Sequence, residues 1–144
     1  MSLPTVGRPS VQDASLKVSI ALPAAASTTV NTAAIDLGAL TSKGMRSEHC
    51  ELFAAIPLIV LAKLPNTSVE TYTIQASDSA TFASGVKTLA QTTQTGATGS
   101  ASQPAQDLRC RLPSDCPRYA RLQVVSDAAG ANASSLSASL QIVV

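Results

Sequence analysis

The segment 70–76, ETYTIQA, alternates polar and apolar side chains, and this alternation constrains the fold more strongly than any other feature of the chain. In an extended chain, Tyr72, Ile74 and Ala76 lie on one face, whereas the intervening threonines and glutamine lie on the other. A period of two predicts a strand with one face against a core and the other face in water or against a partner.

A predicted turn follows this strand. Asp78 and Ser79 carry short side chains whose oxygens bind nearby backbone N–H groups, which favours a bend. We expect Phe82 to fold back over the apolar face, and Gly85 to precede the next strand. Because the turn holds a single carboxylate, the sequence favours a structural turn over a calcium site.

Short alternating segments recur along the chain, separated by glycine, proline and small polar residues. Frequent turns and short separations are typical of antiparallel sandwiches. The sequence therefore predicts an all-β fold, an antiparallel β-sandwich of about eight strands. The predicted strands are 17–22, 30–37, 51–64, 70–76, 88–95, 107–112, 118–127 and 136–142, and a flexible connector is predicted over 96–104.

The most apolar stretch, 51–64, admits two interpretations, a strand and an amphipathic helix. Pro57 and the β-branched residues after it favour a strand that bends at the proline. The continuous apolar run 58–61 predicts cover on both faces, and the turn that follows predicts a hairpin over 58–76. Because a single sandwich has one inner layer, we expect a sister subunit to cover part of this strand, in a homodimer or a homotrimer.

Length and composition exclude several classes of function. The 144 residues suffice for one well-buried core, and we predict a single sandwich domain over 16–144. Aromatic residues make up 3% of the chain, which disfavours an aromatic-lined pocket for a small-molecule substrate. The formal net charge of +1 provides no field to attract nucleic acid or a membrane, and no apolar run reaches the length of a transmembrane helix. We therefore expect a soluble protein without these partners.

The first segment, 1–15, contains prolines and scattered apolar residues without the period of a helix or a strand. It is predicted to be an extended N-terminal arm. The arm packs either on its own domain or on a sister subunit or another protein, and the sequence does not separate these alternatives. The candidate partner-binding residues of the arm are Leu3, Pro4, Val6, Arg8 and Pro9.

No catalytic, metal or cofactor site is expected. Three cysteines cannot all pair within one chain, although Cys110 and Cys116 can close a small loop. Cys50 lies beside His49 without the ligand spacing of a zinc site. His49 is the only histidine, and no motif places a serine or cysteine nucleophile beside it. The sequence therefore predicts a protein that is not an enzyme.

The basic residues concentrate at Arg109, Arg111, Arg118 and Arg121. Solvated charges on loops and strand edges are one interpretation, and docking on an acidic protein surface is the other. Arg109 and Arg111 fall on one face of their predicted strand, and we take them as candidate partner-binding residues. Nucleic acid is the least favoured partner because aromatic residues for base stacking are scarce.

Three segments of the chain, 26–40, 70–92 and 108–144, resemble the capsid cement, or decoration, proteins of short-tailed bacteriophages. The resemblance covers about the last four-fifths of the chain and rests on the order and spacing of three short sequences. These are IDLG after a strand rich in Ala, Ser and Thr, the turn QASDSATF, and RYARLQV before a glycine-containing loop.

The resemblance implies a jelly-roll-like sandwich that binds the outside of the phage head, bridges major capsid proteins and stabilises the shell. It also implies a virion protein that assembles in the host cytoplasm. A different class of function, a carbohydrate-binding or adhesin-like sandwich on a virion fibre or a cell surface, is the alternative. An exposed patch of Trp or Tyr would favour that alternative, but the chain has no Trp, and Tyr72 and Tyr119 are its only tyrosines.

Overall fold

A computed structural model describes residues 17–38, 51–60, 62–97, 102–113 and 115–143. The predicted arm over 1–15 lies outside the described residues, so its five candidate partner-binding residues, Leu3, Pro4, Val6, Arg8 and Pro9, do too. His49, Cys50 and most of the loop before the fourth strand also lie outside them.

The all-β prediction is confirmed, because the described residues form eleven β-strands. Nine-residue strands, β6 and β7, are the longest, and several others contain only two or three residues. The strands are β1 (Lys17–Ala21), β2 (Thr29–Asn31), β3 (Ile35–Asp36), β4 (Glu51–Ile56), β5 (Ile59–Val60), β6 (Val69–Ser77), β7 (Lys87–Thr95), β8 (Ser102–Gln103), β9 (Gln106–Arg111), β10 (Tyr119–Ser126) and β11 (Ser137–Val143).

The strands form two main sheets and one short ribbon. The four-stranded sheet has the order β1-β11-β4-β9. The five-stranded sheet has the order β2-β10-β6-β7, with β3 also paired to β10. β5 and β8 form the two-stranded ribbon, and every pairing is antiparallel.

The two main sheets pack face to face as a sandwich, because a single cluster of buried side chains draws on both. Each fully buried large aliphatic side chain contributes about 1.5–3 kcal/mol relative to exposure. At one side of the sandwich, the Thr92 hydroxyl of β7 donates to Gln106 Oε1 of β9 at 3.1 Å and so joins the two sheets. The core residues of the four central strands are Leu52, Ala54, Ile56, Tyr72, Ile74, Ala120, Leu122, Val124, Ala138, Leu140 and Ile142.

The alternation that predicted the strand over 70–76 is realised in β6, which lies between β10 and β7. Tyr72, Ile74 and Ala76 are fully buried. The predicted strands over 88–95, 107–112, 118–127 and 136–142 correspond to β7, β9, β10 and β11, and 17–22 corresponds to β1, which ends before Pro23. Alternation was sufficient for β1, β9, β10 and β11 because each of these strands presents one face to the core, whereas β7 corresponds to a segment predicted as a weak polar strand.

The predictions for the segment 51–64 are only partly correct. A strand forms, but it is β4 over 51–56, with Leu52, Ala54 and Ile56 buried. The predicted hairpin over 58–76 is wrong, because β5 pairs with β8 and β6 pairs with β10 and β7. Within this chain Leu58 and Val60 are 46% and 41% exposed, so the chain itself does not cover these two side chains of the apolar run. Pro57, which lacks a backbone N–H, separates the two strands.

Two further predicted segments differ in detail. The strand expected over 30–37 is divided into β2 and β3, because Thr32 turns its hydroxyl to accept the Leu122 N–H at 3.0 Å. The connector expected over 96–104 contains β8.

The turn after β6 is built differently from the expected one. Ser77, rather than Ser79, caps it, because Ser77 Oγ accepts the Ser79 N–H at 3.1 Å and donates to Ser84 O at 2.7 Å. Asp78 accepts a backbone N–H as expected, but from the distant Arg118, at 3.2 Å. The expectation that Phe82 covers the apolar face is wrong, since its ring lies on the outer face of the sheet beneath Arg121.

Candidate partner-binding surfaces

The outer face of the four-stranded sheet carries the two arginines that the sequence singled out. Alternation along β9 turns Leu108 and Cys110 toward the core and leaves Arg109 and Arg111 exposed. The register Phe53↔Arg109 and Glu51↔Arg111 places both arginines beside β4. The predicted shared face of Arg109 and Arg111 is therefore confirmed.

Arg109 and Arg111 share one acidic neighbour. Arg109 Nη1 lies 3.7 Å and Arg111 Nε 3.9 Å from the Glu51 carboxylate, and the Arg109 guanidinium stacks over the Phe53 ring at 4.8 Å. The arginine side chains are 60% and 83% exposed, so each ion pair contributes at most about 1 kcal/mol. Arg109 and Arg111 present hydrogen-bond donors at the edge of the sheet, beside two carboxylates, those of Glu51 and of Asp107, which is exposed on the same face of β9.

Arg118 is engaged elsewhere. Its guanidinium donates twice to the Asp36 carboxylate, Nε to Oδ1 and Nη2 to Oδ2, each at 3.0 Å. The hydrogen bond from Arg118 and a second from the Gly38 N–H hold the pKa of Asp36 below its ordinary value. The predicted basic concentration is therefore not one patch, because Arg118 is neutralised at the β3 end of the five-stranded sheet.

The outer face of the five-stranded sheet carries a row of linked side-chain amides. Arg121 Nε donates to Gln75 Oε1 at 2.9 Å, and Gln75 Nε2 donates to Gln123 Oε1 at 3.2 Å. Gln123 Nε2 then donates to Asn31 Oδ1 at 3.2 Å. These four residues, the amide row, run across three adjacent strands, β6, β10 and β2, and give this face a fixed polar surface.

Two large apolar side chains of the ribbon strand β5 and its entry are exposed. Leu58 is 46% and Val60 41% exposed, while Ile59 between them is fully buried. Together these two side chains form a small exposed apolar patch. This pair lies within the segment for which the sequence predicted cover from a sister subunit.

A buried polar cluster occupies the core at the Val69 end of β6. Tyr72 donates its hydroxyl to Gln94 Oε1 at 2.8 Å, and Gln94 Nε2 donates to the carbonyls of Pro57 at 3.1 Å and Pro104 at 3.0 Å. Glu70 is fully buried, and neither carboxylate oxygen has a hydrogen-bond partner among the residues that the structure describes. The amide of Gln94 thereby ties β7 to the segments on both sides of the ribbon, whereas Glu70 remains unsatisfied.

Burial raises the pKa of Glu70 from 4.5 to about 7, and the nearby negative charge of Asp127 adds to this rise. Ser126 lies directly across from Glu70 on β10, and its hydroxyl partly offsets the rise in the pKa of Glu70. The hydroxyl is nevertheless not in hydrogen-bonding geometry with either carboxylate oxygen. Burial also raises the pKa of Tyr72, and the charge of Glu70 contributes to that rise. Glu70 is thus a group whose ionisation the fold resists.

Asp127 organises the loops at this end of the sandwich. Its carboxylate accepts the Ser68 hydroxyl at 3.0 Å, the Val69 N–H at 2.9 Å and the Ala129 N–H at 3.1 Å. Its backbone carbonyl accepts the Ser27 N–H at 2.8 Å. One residue therefore joins the loop before β2, the start of β6 and the turn after β10.

Cys110 and Cys116 are free thiols that pack against the core. Burial raises the pKa of both, that of Cys116 to about 11, so both are protonated at neutral pH and poorly nucleophilic. Within the described ranges, no group of three or more His, Cys, Asp or Glu side chains could hold a metal ion. A search of the same residues finds no helix long and apolar enough to cross a membrane.

Sequence reasoning found Arg109 and Arg111 but missed the amide row and Glu70. Glu70 shares the parity of Tyr72 and Ile74, so the alternation itself signalled a carboxylate on the core face. The hydrogen bond between Gln75 and Gln123 could not be predicted from local sequence, because the two residues lie in strands that are distant in sequence.

Comparison of the chain with protein-family models gives no match, and comparison with curated proteins gives no match either. What this protein does is therefore inferred from its own residues and their geometry.

Proposed function

We propose that this chain is a structural virion protein that binds the outside of a phage head, bridges major capsid proteins and stabilises the shell. Binding to the assembled shell and not to its dissociated subunits stabilises the shell by mass action, and repetition over the shell multiplies modest contacts. The resemblance of 26–40, 70–92 and 108–144 to capsid cement proteins motivates the proposal. The protein would act without catalysis, on the outer surface of the capsid, after assembly in the host cytoplasm.

We further propose that the sandwich is a jelly roll. Its eight principal strands, with β3 counted as a continuation of β2 and the ribbon set aside, pair in a nested order. The first pairs with the last (β1–β11), the second with the seventh (β2–β10), the third with the sixth (β4–β9) and the fourth with the fifth (β6–β7). A long hairpin that folds over into two sheets produces this nested order. The order therefore supports the jelly-roll assignment.

The observation that carries the proposed function is the exposed face formed by Arg109, Arg111 and Phe53. Stacking on Phe53 restricts Arg109, so less side-chain entropy is lost when a partner binds it. Both guanidinium groups are largely exposed and lie 3.7 and 3.9 Å from Glu51, too far for a close hydrogen bond, so they remain available to acidic side chains of a partner.

Self-association is part of the proposal, because Leu58 and Val60 are exposed together. We propose that these side chains are buried between copies of the chain in a dimer or a trimer. Changing both to serine should yield a monomer, as measured by sedimentation velocity, with little change in thermal unfolding of the isolated chain. An unchanged oligomer would contradict this part of the proposal.

The carbohydrate-binding alternative has less support. Sugar-binding faces use exposed aromatic rings, but Tyr72 is fully buried and the Tyr119 ring lies beneath Arg118 at 5.2 Å. Phe53 and Phe82 are likewise covered by arginines. Binding on a glycan array, without binding to phage heads, would favour this alternative.

Co-sedimentation with phage heads that lack the protein tests the proposed function. We expect the wild-type chain to sediment with such heads and the double variant Arg109→Gln/Arg111→Gln to bind at least tenfold more weakly. The matched control, Lys63→Gln/Lys87→Gln, removes two positive charges outside the strands of the four-stranded sheet and should bind as the wild type does. Failure of the wild-type chain to bind any such head would overturn the proposal.

A further inference from the structure

Arg121 is held rigidly on the outer face of the five-stranded sheet. Its Nε donates to Gln75 Oε1 at 2.9 Å, and its guanidinium stacks over the Phe82 ring at 4.2 Å. Phe82 adopts a left-handed backbone conformation, with φ of 56°, and is 8% exposed. A phenylalanine in this conformation costs roughly 1–2 kcal/mol, which the ring offsets through its contacts on this face.

The charge of Arg121 has no acidic partner in the part of the chain that the structure describes. The arginines 109, 111 and 118 each meet a carboxylate of Glu51 or Asp36, whereas Arg121 hydrogen-bonds only the neutral amide of Gln75. Arg121 is half-buried, and this burial lowers its pKa. A partly desolvated guanidinium without a counter-ion is unfavourable in the free protein, so an incoming anion would be favoured there.

The hydrogen bonds of the amide row all run in one direction, from Arg121 toward Asn31. Gln75 and Gln123 each accept with the amide oxygen and donate one of two N–H bonds to the next residue. Each amide nitrogen along the row, including that of Asn31, therefore retains donor capacity. The amide row therefore offers further hydrogen-bond donors beside the Arg121 guanidinium, and it contains no acidic side chain.

We propose that the outer face of the five-stranded sheet is a docking surface for an acidic protein segment, in which Arg121 binds a partner carboxylate and the amide row binds backbone carbonyls. A guanidinium fork matches the two oxygens of a carboxylate, and side-chain amides match the spacing of polar groups on a polypeptide. This face lies on the sheet opposite the one that carries Arg109 and Arg111, and the inference does not depend on the proposed function.

A polypeptide fits this face better than a nucleic acid does. Binding along a phosphate backbone needs several cations in a line, whereas the amide row carries Arg121 as its single charge. Aromatic rings for base stacking are not free either, because the Phe82 ring is covered by Arg121.

The test uses the full chain and a defined probe, an acetylated hexaglutamate amide, in NMR titrations that follow the side-chain amide resonances of Gln75 and Gln123, which every variant retains. In the wild type, the Nε–Hε resonance of Arg121 is followed as well. We expect a saturable shift of these resonances with hexaglutamate and none with hexaglutamine. Arg121→Gln should weaken hexaglutamate binding about tenfold to a hundredfold, the range expected for charge-assisted hydrogen bonds. Arg121→Lys retains the charge without the planar fork and should restore only part of the affinity.

The matched control is Lys17→Gln, which removes one positive charge from an exposed position on the opposite sheet and should change the affinity less than twofold. Equal weakening by Lys17→Gln and Arg121→Gln would show non-specific attraction and overturn the proposal. A short single-stranded DNA that shifts the Arg121 resonance at lower concentration than hexaglutamate would overturn the assignment to a protein partner. If Arg121→Gln does not fold, Arg121→Lys against the wild type decides: equal affinities would overturn the proposal.

Discussion

Replacing Glu70 with glutamine should remove a pH dependence from the stability of this protein. Glu70 is fully buried, and its carboxylate oxygens have no hydrogen-bond partner within the described part of the chain. The fold therefore favours the protonated, neutral form of the side chain. Glutamine has nearly the same shape and cannot ionise, so the variant isolates the contribution of the charge.

The magnitude follows from the pKa. A folded-state pKa of about 7 against an ordinary value of 4.5 corresponds to roughly 3 kcal/mol of unfolding free energy. Below pH 4.5 the carboxyl is protonated in both states, and its contribution to stability is fully present. As the pH rises from 4.5 through 7, the unfolded chain loses its proton first, so the contribution is lost progressively. Above about pH 8 the loss is complete.

The assay is urea unfolding, followed by far-ultraviolet circular dichroism at several pH values between 4.5 and 8.5. Every other titratable group is present in both proteins, including Asp127, whose negative charge lies near Glu70. The quantity of interest is therefore the wild-type change in unfolding free energy between pH 5 and pH 8 minus the change in Glu70→Gln. We expect the wild type to lose about 2–3 kcal/mol more than the variant over this interval.

This difference also cancels any pH-independent cost of placing an amide in the core. If the two proteins lose the same free energy between pH 5 and pH 8, the carboxylate is not held neutral by the fold, and the reasoning is wrong. A carboxyl ¹³C titration of Glu70 provides a direct check, with an expected midpoint near 7.

Three other perturbations have defined outcomes. Asp127→Asn should lower the midpoint of the Glu70 titration because it removes a nearby negative charge. Asp127→Ala removes three hydrogen bonds, so it should lower the free energy of unfolding in urea by roughly 2–4 kcal/mol. Gly96→Ala should destabilise the chain by at least about 2 kcal/mol, since an added Cβ would lie 1.9 Å from Pro65 O. Gly85→Ala is the control, because an added Cβ at Gly85 would lie in open space. The positive φ of 62° at this position should lower the free energy of unfolding by only about 1 kcal/mol. Deleting residues 2–15 should leave thermal unfolding nearly unchanged and weaken attachment to heads; earlier unfolding with undiminished attachment would assign the arm to the core of the domain.

Alternation predicted most of the sandwich because β6, β9, β10 and β11 each bury one face and expose the other. It failed over 58–61, where four consecutive apolar residues give no period. Cover on both faces was inferred from composition, whereas a two-residue strand buries Ile59 and exposes its neighbours. Which strand pairs with which was equally hidden, because β5 finds its partner in β8, across two long strands of the other sheet.

The candidate surfaces likewise include residues that the sequence predicted and residues whose surroundings it did not predict. Arg109 and Arg111 were found because one strand places both on one face. The environment of Arg121 was not predictable, because it depends on a cross-strand contact with Gln75 and on the left-handed backbone of Phe82. Local patterns specify the face on which a side chain lies, but they do not specify what lies across from it.

Arginine is used in two ways on the two sheets, and this difference has a consequence for association. On the four-stranded sheet, Glu51 already compensates part of the charge of Arg109 and Arg111, so those residues mainly affect the rate of encounter with an acidic partner and its salt dependence. On the five-stranded sheet, the half-buried Arg121 finds only the neutral Gln75 as a hydrogen-bond partner among the described residues, so an incoming carboxylate would relieve a desolvation cost already present in the free protein. Arg121 should therefore govern the rate at which a complex dissociates.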